Sequence, residues 1–192
     1  MENRFRCVRI REVKLPHRAN EGDAGLDFYF PTNLTVKDLK EVASNAHLNY
    51  TYPYSPRIDQ FTAEIDHKTG YIGSLYLGPK TRIAIPSGIR ALLEPQNSMM
   101  QVNNKSGRAS KQGLIFTAQV CDSPYTGEYH LCVFNSSPQI QILHADQAIV
   151  QLVHIPIFIT EPEEITLDEY DEIAQTWGTR QSNGMGESSN DL

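Results

Sequence analysis

Four parts of the chain carry residue types that do chemistry together. In the first, GLIFTAQVCDSPYTGEYHLCVFN from Gly113 to Asn135, Asp122 opens a connection between apolar runs and Tyr125 follows three residues later. Gly127 then permits tight backbone geometry before an alternating strand starts at Glu128. The segment reads as a β-hairpin. A carboxylate held at a strand end can orient and deprotonate a water, which is general-base work. The competing readings are an aspartate that caps its own turn and a tyrosine that packs with its hydroxyl exposed. The second part, Asn103-Asn104-Lys105-Ser106-Gly107-Arg108-Ala109-Ser110-Lys111, joins small hydroxyl residues, a glycine and three cations in nine positions. Uncovered N–H groups, hydroxyl donors and positive charge are what a polyphosphate needs. A solvated polar loop has the same composition, and no Walker spacing is present. The third is the tail, where Arg180 precedes Gly184 and Gly186 around Met185. Such an arm can close over an anion and become ordered only when the ligand is present, or it is simply a disordered terminus. The fourth is Gln151, a lone amide in the apolar run AIVQLVHIPIFI, whose alternative is an outward-facing strand position. Histidines at 17, 47, 67, 130, 144 and 154 lack paired spacing, so no protein-built metal cage is expected, and no serine lies in a GxSxG context.

The elements that must position these residues are strands. Apolar residues with strand character recur over 5–15, 81–94, 114–121, 128–135 and 148–159. Pro86-Ser87-Gly88, Ser123-Pro124, Thr126-Gly127 and Ser137-Pro138 supply turn chemistry around them. This spacing predicts an all-β barrel or sandwich. Two stretches depart from it. From Thr35 to Ala46, Leu39, Val42, Ala43 and Ala46 follow helical spacing, with Thr35 and Asp38 as a capping pair; the loop NYTYPYSPRIDQ that follows suits a surface excursion or a partner contact. The acidic run from Glu161 to Glu172 reads as a solvated linker, and the tail beyond Trp177 is too poor in apolar residues to fold alone.

At 192 residues one domain is expected, and the net charge of −6 argues against broad nucleic-acid binding. Cys7, Cys121 and Cys132 are odd in number without CxxC spacing, which fits free thiols in a reducing compartment. The first residues, MENRFRCVRIREVKL, hold no apolar stretch for a signal peptide or membrane span, so a cytoplasmic protein without membrane association is expected.

Taken in order, five segments resemble the motifs of the trimeric dUTP diphosphatase family, the dUTPases. Asp23-Ala24-Gly25-Leu26-Asp27 is similar to the first motif. Lys105-Ser106-Gly107-Arg108-Ala109 resembles the phosphate loop usually written Arg-Ser-Gly-Leu-Ala. Val120 to Glu128 matches the third motif, with its Ile-Asp-x-x-Tyr-x-Gly-Glu core, and this match is the most specific. Ala145 to Val153 resembles Gly-Asp-Arg-Ile-Ala-Gln-Leu, and Arg180 to Gly186 the glycine-rich fifth motif. The resemblance runs from residue 5 to the C-terminus apart from a family-atypical insert at about 39–75, which holds the short helix. It implies a distorted jelly-roll subunit over 1–176 and a flexible C-terminal arm over 177–192, three subunits forming a homotrimer with shared active sites.

The activity so implied is hydrolysis of dUTP to dUMP and pyrophosphate with Mg2+ held mainly by the substrate phosphates, which keeps uracil out of DNA and supplies dUMP for dTMP synthesis. In this scheme Asp122 activates the attacking water, and Tyr125 packs under the deoxyribose and excludes a 2′-hydroxyl. The backbone of Thr117, Ala118 and Gln119 reads the uracil edge. Ser106 and Gly107 hold phosphate oxygens with charge from Lys105 and Arg108, Gln151 comes from another subunit, and Arg180 and Met185 close the arm over the nucleotide. Asp27 supports the site through structure or metal-bound water.

The departures are specific. Lys105 replaces an arginine and loses its bidentate fork, Gln147 replaces another, Met185 stands where phenylalanine stacks on the base, and Gln181 and Glu187 also differ. The related dCTP deaminases carry a glutamate on the strand after the hairpin. Here that strand reads His130-Leu131-Cys132-Val133, which disfavours deamination. A reading from another class is a regulatory protein that keeps the trimer and binds a protein partner through the insert.

Overall fold

The computed structural model describes residues 3–39 and 61–177. The chain divides into two compact units, Met1–Phe158 and Ile159–Leu192. The first is all-β and antiparallel throughout. One sheet has the order β1 (Arg4–Arg9), β5 (Arg82–Glu94), β9 (Glu128–Asn135), β7 (Leu114–Phe116). A second runs β10 (Gln141–His144), β4 (Ile72–Leu77), β3 (Phe61–Ile65). The third runs β2 (Leu26–Tyr29), β11 (Ala148–Pro156), β6 (Ser98–Asn103), β8 (Val120–Asp122). This is the all-β class expected from the strand periodicity, in the jelly-roll form that the resemblance implies. Along β9 burial alternates strictly, Tyr129, Leu131 and Val133 facing the core, because successive strand side chains point to opposite faces. Phe28 and Val150 from the third sheet, Leu75 and Leu77 from the second, and Ile85 and Leu131 from the first all enter one hydrophobic core.

Two expected strands are cut short, each for a physical reason. The run 114–121 is not one strand. Thr117 to Gln119 carries the chain from the first sheet to the third, so β7 pairs with β9 while β8 pairs with β6. The Gly113–Asn135 hairpin is therefore real at its base but split at its tip. The run 5–15 ends as a strand at Arg9, and Arg11 then leaves the ladder to bond Glu128 at 2.8 Å and Asp38 at 2.8 Å. Glu128 also accepts the Gly88 N–H at 2.7 Å, tying the start of β9 to the bulge in β5. Gly88 needs to be glycine there: its φ is +73° and a Cβ would lie 2.9 Å from Val13 Cγ1.

The Thr35–Asp38 capping pair forms as expected, the Asp38 carboxylate accepting the Thr35 N–H at 2.8 Å and hydroxyl at 2.6 Å. Burial opposes ionisation of Asp38, but these bonds and Arg11 outweigh it and hold the carboxyl below its usual range. Residues 36–39 are helical, and the rest of the expected helix and the loop NYTYPYSPRIDQ lie outside the described residues. The second part of the insert is not surface decoration. It forms β3 and β4, joined by a turn at Asp66–Gly70, and buries Ile72 and Leu75 in the core.

The second unit corrects the reading of Glu161–Glu172 as a linker. A helix, α2, spans Leu167–Trp177, and Glu169 accepts the Thr166 N–H and hydroxyl, each at 2.8 Å. This capping box repeats the chemistry at Thr35. A shorter helix, α1, spans Ser106–Gln112 in the first unit. No helix among the described residues is long and apolar enough to cross a membrane.

Candidate active site

The connection from β8 to β9 holds the expected base. Asp122 is exposed, and among the described residues its carboxylate has no hydrogen-bond partner. The turn is closed instead by the backbone, Tyr125 N–H donating to the Asp122 carbonyl at 3.1 Å. The aspartate is thus not occupied in capping its own turn. Tyr125 folds back so that its hydroxyl donates to the Glu128 carbonyl at 2.8 Å, and its ring stacks on Tyr129, which stacks in turn on Phe28. The spacing Tyr125-x-Gly127-Glu128 follows from this. A Cβ on Gly127 would lie 2.5 Å from the tyrosine oxygen, and the Glu128 side chain anchors the far end through Arg11. Replacing Gly127 with alanine is expected to displace the Tyr125 ring and lower kcat/KM for the nucleotide on the order of 10–100-fold. Steady-state kinetics, with near-ultraviolet circular dichroism reporting the ring, would check it; unchanged kinetics would refute the positioning role.

The neighbouring Cys121 thiol is pushed up to about 11, first by burial and then by the Asp122 charge. Burial also raises Cys7 and Cys132, and all three cysteines are free, acting as small apolar side chains. The exposed crossing Thr117–Gln119 is held at its ends. Thr117 N–H donates to the Cys132 carbonyl at 2.9 Å, and the Gln119 carbonyl accepts from Val102 at 2.8 Å. The main-chain groups of Ala118 between them make no hydrogen bond among the described residues.

The segment expected to bind phosphate lies elsewhere. After β6, Lys105 remains extended and Ser106 enters α1, a short helix closed by Gly113 with φ of +66°. A cavity of about 410 Å³ is lined by Lys105, Ser106, Gly107, Arg108, Gln112 and Gln151 among others. Gly107 is open, with nothing within 4 Å of a Cβ placed there. Lys105, expected to offer its charge to phosphate, gives its ammonium to the buried Asp27 at 2.5 Å. Asp27 supports the loop through this ion pair. Gln151 donates to the Asn104 carbonyl at 3.1 Å and packs so tightly on Gly25 that a Cβ there would approach its Oε1 to 2.8 Å, which accounts for the glycine of the first motif. Asn104, expected only as one member of the polar segment, also accepts the Phe116 N–H at 2.7 Å through its side chain, and Gln112 lies beyond that segment, although its spacing of four from Arg108 on a helix was a usable signal.

Within one chain these two groups do not meet. Asp122 is in register with Met99 on one side of β6, whereas Gln151 is in register with Asn103 on the other. Four residues of strand, about 13 Å, separate the two positions. Arg180 and Met185 lie outside the described residues. No group of three or more His, Cys, Asp or Glu able to hold a metal occurs among the described residues, and Asp27 already faces Lys105.

The fold is a jelly-roll that presents an exposed carboxylate on an aromatic turn, with a separate cavity lined by hydroxyl, glycine and cationic residues. The dUTPase family model matches residues 73–189, and the chain belongs to the dUTPase family. It is 26% identical over 184 residues to a deoxyuridine 5'-triphosphate nucleotidohydrolase from Mycolicibacterium gilvum, covering 92% of this chain and 88% of that protein. It is 28% identical over 137 residues to the corresponding protein of Desulfitobacterium hafniense, covering 68% and 89%. Among solved structures, the dUTPase of phage phi11 of S. aureus superposes with a TM-score of 0.57 at 15% identity over 85% of this chain and 96% of that one, a likeness of fold.

Proposed function

We propose that the dUTP hydrolysis defining the family runs here by water attack on the α-phosphate, with Asp122 as the base. The water proton passes to the Asp122 carboxylate as its oxygen bonds to phosphorus, the bond to the β-phosphate bridging oxygen breaks, and dUMP and pyrophosphate leave. Tyr125 lies under the deoxyribose, where a 2′-hydroxyl would collide with the ring, and the Thr117–Gln119 backbone reads the uracil edge. Ser106 and Gly107 bind phosphate oxygens. The charge balance needed by the pyrophosphate leaving group comes from magnesium carried on the triphosphate. Arg180 and Met185 of the 177–192 arm would contact the bound nucleotide, removal of dUTP keeps uracil out of DNA, and the dUMP formed feeds dTMP synthesis.

The observation that carries this reading is the exposed, unengaged Asp122 carboxylate on a turn made rigid by Tyr125, Gly127 and Glu128. The distance along β6 between Asp122 and Gln151 supports a homotrimer whose sites are shared, one subunit supplying the hairpin and another the Gln151 side. Pyrophosphate release with magnesium is expected from dUTP and not from dTTP, dCTP or UTP, by a protein whose mass in light scattering is three times that of one chain. No release from dUTP would overturn the catalytic reading, and release from a monomer would overturn the shared site.

A further inference from the structure

Arg108 is a half-buried cation whose partners among the described residues are all neutral. Its guanidinium donates to Gln112 Oε1 at 3.0 Å, to Gln147 Oε1 at 2.9 Å and to the Ala148 carbonyl at 3.1 Å. These bonds fix the planar fork and leave two of its five N–H donors over. They do nothing to neutralise the charge. Burial pulls the guanidinium pKa below its usual value, and an uncompensated cation in a partly desolvated site is unfavourable until an anion arrives. It lines the same cavity as Ser106, Gly107 and Gln151, where the other cation, Lys105, is already neutralised by Asp27. Arg108 is therefore the one cation lining this cavity, among the described residues, whose charge no carboxylate answers.

Counted from Asp146, its partner Gln147 stands where the fourth motif has arginine, the one extra residue before Gln151 being taken up at the register shift between Ala148 and Val150, and Arg108 stands where the second motif has leucine. The two departures touch one another: the guanidinium at 108 rests on the amide at 147. We infer that the pair is a relocation, the positive charge having moved from the strand side of the cavity at 147 to the helix side at 108, with Gln147 converted to a positioning residue that aims the Arg108 fork at the substrate polyphosphate. Gln147 is exposed, so arginine fits at that position without entering the core.

This inference rests on the reading of the cavity as the polyphosphate site. Its test compares the intact protein with R108L, R108K, Q147R and the double variant R108L/Q147R, using KM and kcat for dUTP, and binding of inorganic tripolyphosphate by calorimetry as a readout independent of turnover. R108L is expected to raise KM and weaken tripolyphosphate binding on the order of tenfold to hundredfold, the loss of a charged hydrogen-bonded contact, with a smaller change in kcat. R108K keeps the charge without the fork and falls between. Q147R alone sets two guanidinium groups side by side and impairs folding or binding, whereas R108L/Q147R regains most of the tripolyphosphate affinity. Equal affinity of R108L and the intact protein, or a double variant no better than R108L with an unchanged melting temperature, overturns the relocation. Arg108-dependent tripolyphosphate binding by a protein inactive on dUTP would leave the relocation standing and remove the catalytic reading instead.

Discussion

Asp122→Asn is expected to lower kcat for dUTP by about 10²–10⁴-fold, the usual contribution of a positioned base, while KM and the melting temperature barely move. The separation of effects follows from the site's construction. The carboxylate is exposed and accepts no hydrogen bond among the described residues, and the turn around it is closed by its own backbone. An amide of the same shape therefore removes no structural contact. It does remove the proton acceptor, because an amide oxygen is far too weak a base to take a proton from the attacking water. Single-turnover pyrophosphate release beside a thermal melt would check both halves. A variant that retains wild-type kcat would show that another group is the base, and one that loses stability would show that Asp122 is structural.

The largest stability effect is expected at Asn135. This side chain is fully buried at the end of β9, where the first sheet meets the second. Its Nδ2 donates to the carbonyls of Leu77, Gly78 and Gln139 at 2.8–3.0 Å, and its Oδ1 accepts the N–H and hydroxyl of Ser137. Alanine at this position strands several buried polar groups at once, each carrying about 1–3 kcal/mol when left without a partner. Because the groups share one side chain and relax together, the expected total is about 3–5 kcal/mol and not the full sum. Urea unfolding at fixed protein concentration measures it, since assembly would make stability depend on concentration. A loss under about 1 kcal/mol would mean that water replaces the amide and that the joint between the sheets is held elsewhere.

Much of the molecule was legible in the sequence where its cause is local. Glu128–Asn135 was legible with its ends in place because Tyr129, Leu131 and Val133 recur there with period two and a turn precedes them. The Thr35–Asp38 cap was legible for the same reason, two side chains three residues apart satisfying each other. The equivalent pair Thr166 and Glu169 was overlooked because its glutamate stood in a run of acids that read as solvation. The break of 114–121 at Thr117 was hidden because nothing in the residues Thr117-Ala118-Gln119 says that the chain changes sheets; that depends on β6 being present to receive β8.

By itself the sequence determined the all-β class, the family and the presence of a tight turn between Asp122 and Glu128. Side-chain alternation, glycine's conformational freedom and a tyrosine reaching three residues ahead all act over a few bonds. Only the tertiary structure decided which charges remain free to act. Lys105 is neutralised by Asp27, 78 residues away, Glu128 is held by Arg11 across 117 residues, and Arg108 is aimed by Gln147 across 39. Electrostatic partners are set by distance in space, and pairing of strands remote along the chain brings these groups within 3 Å of one another, so a motif names the ion while the fold determines whether its charge is available.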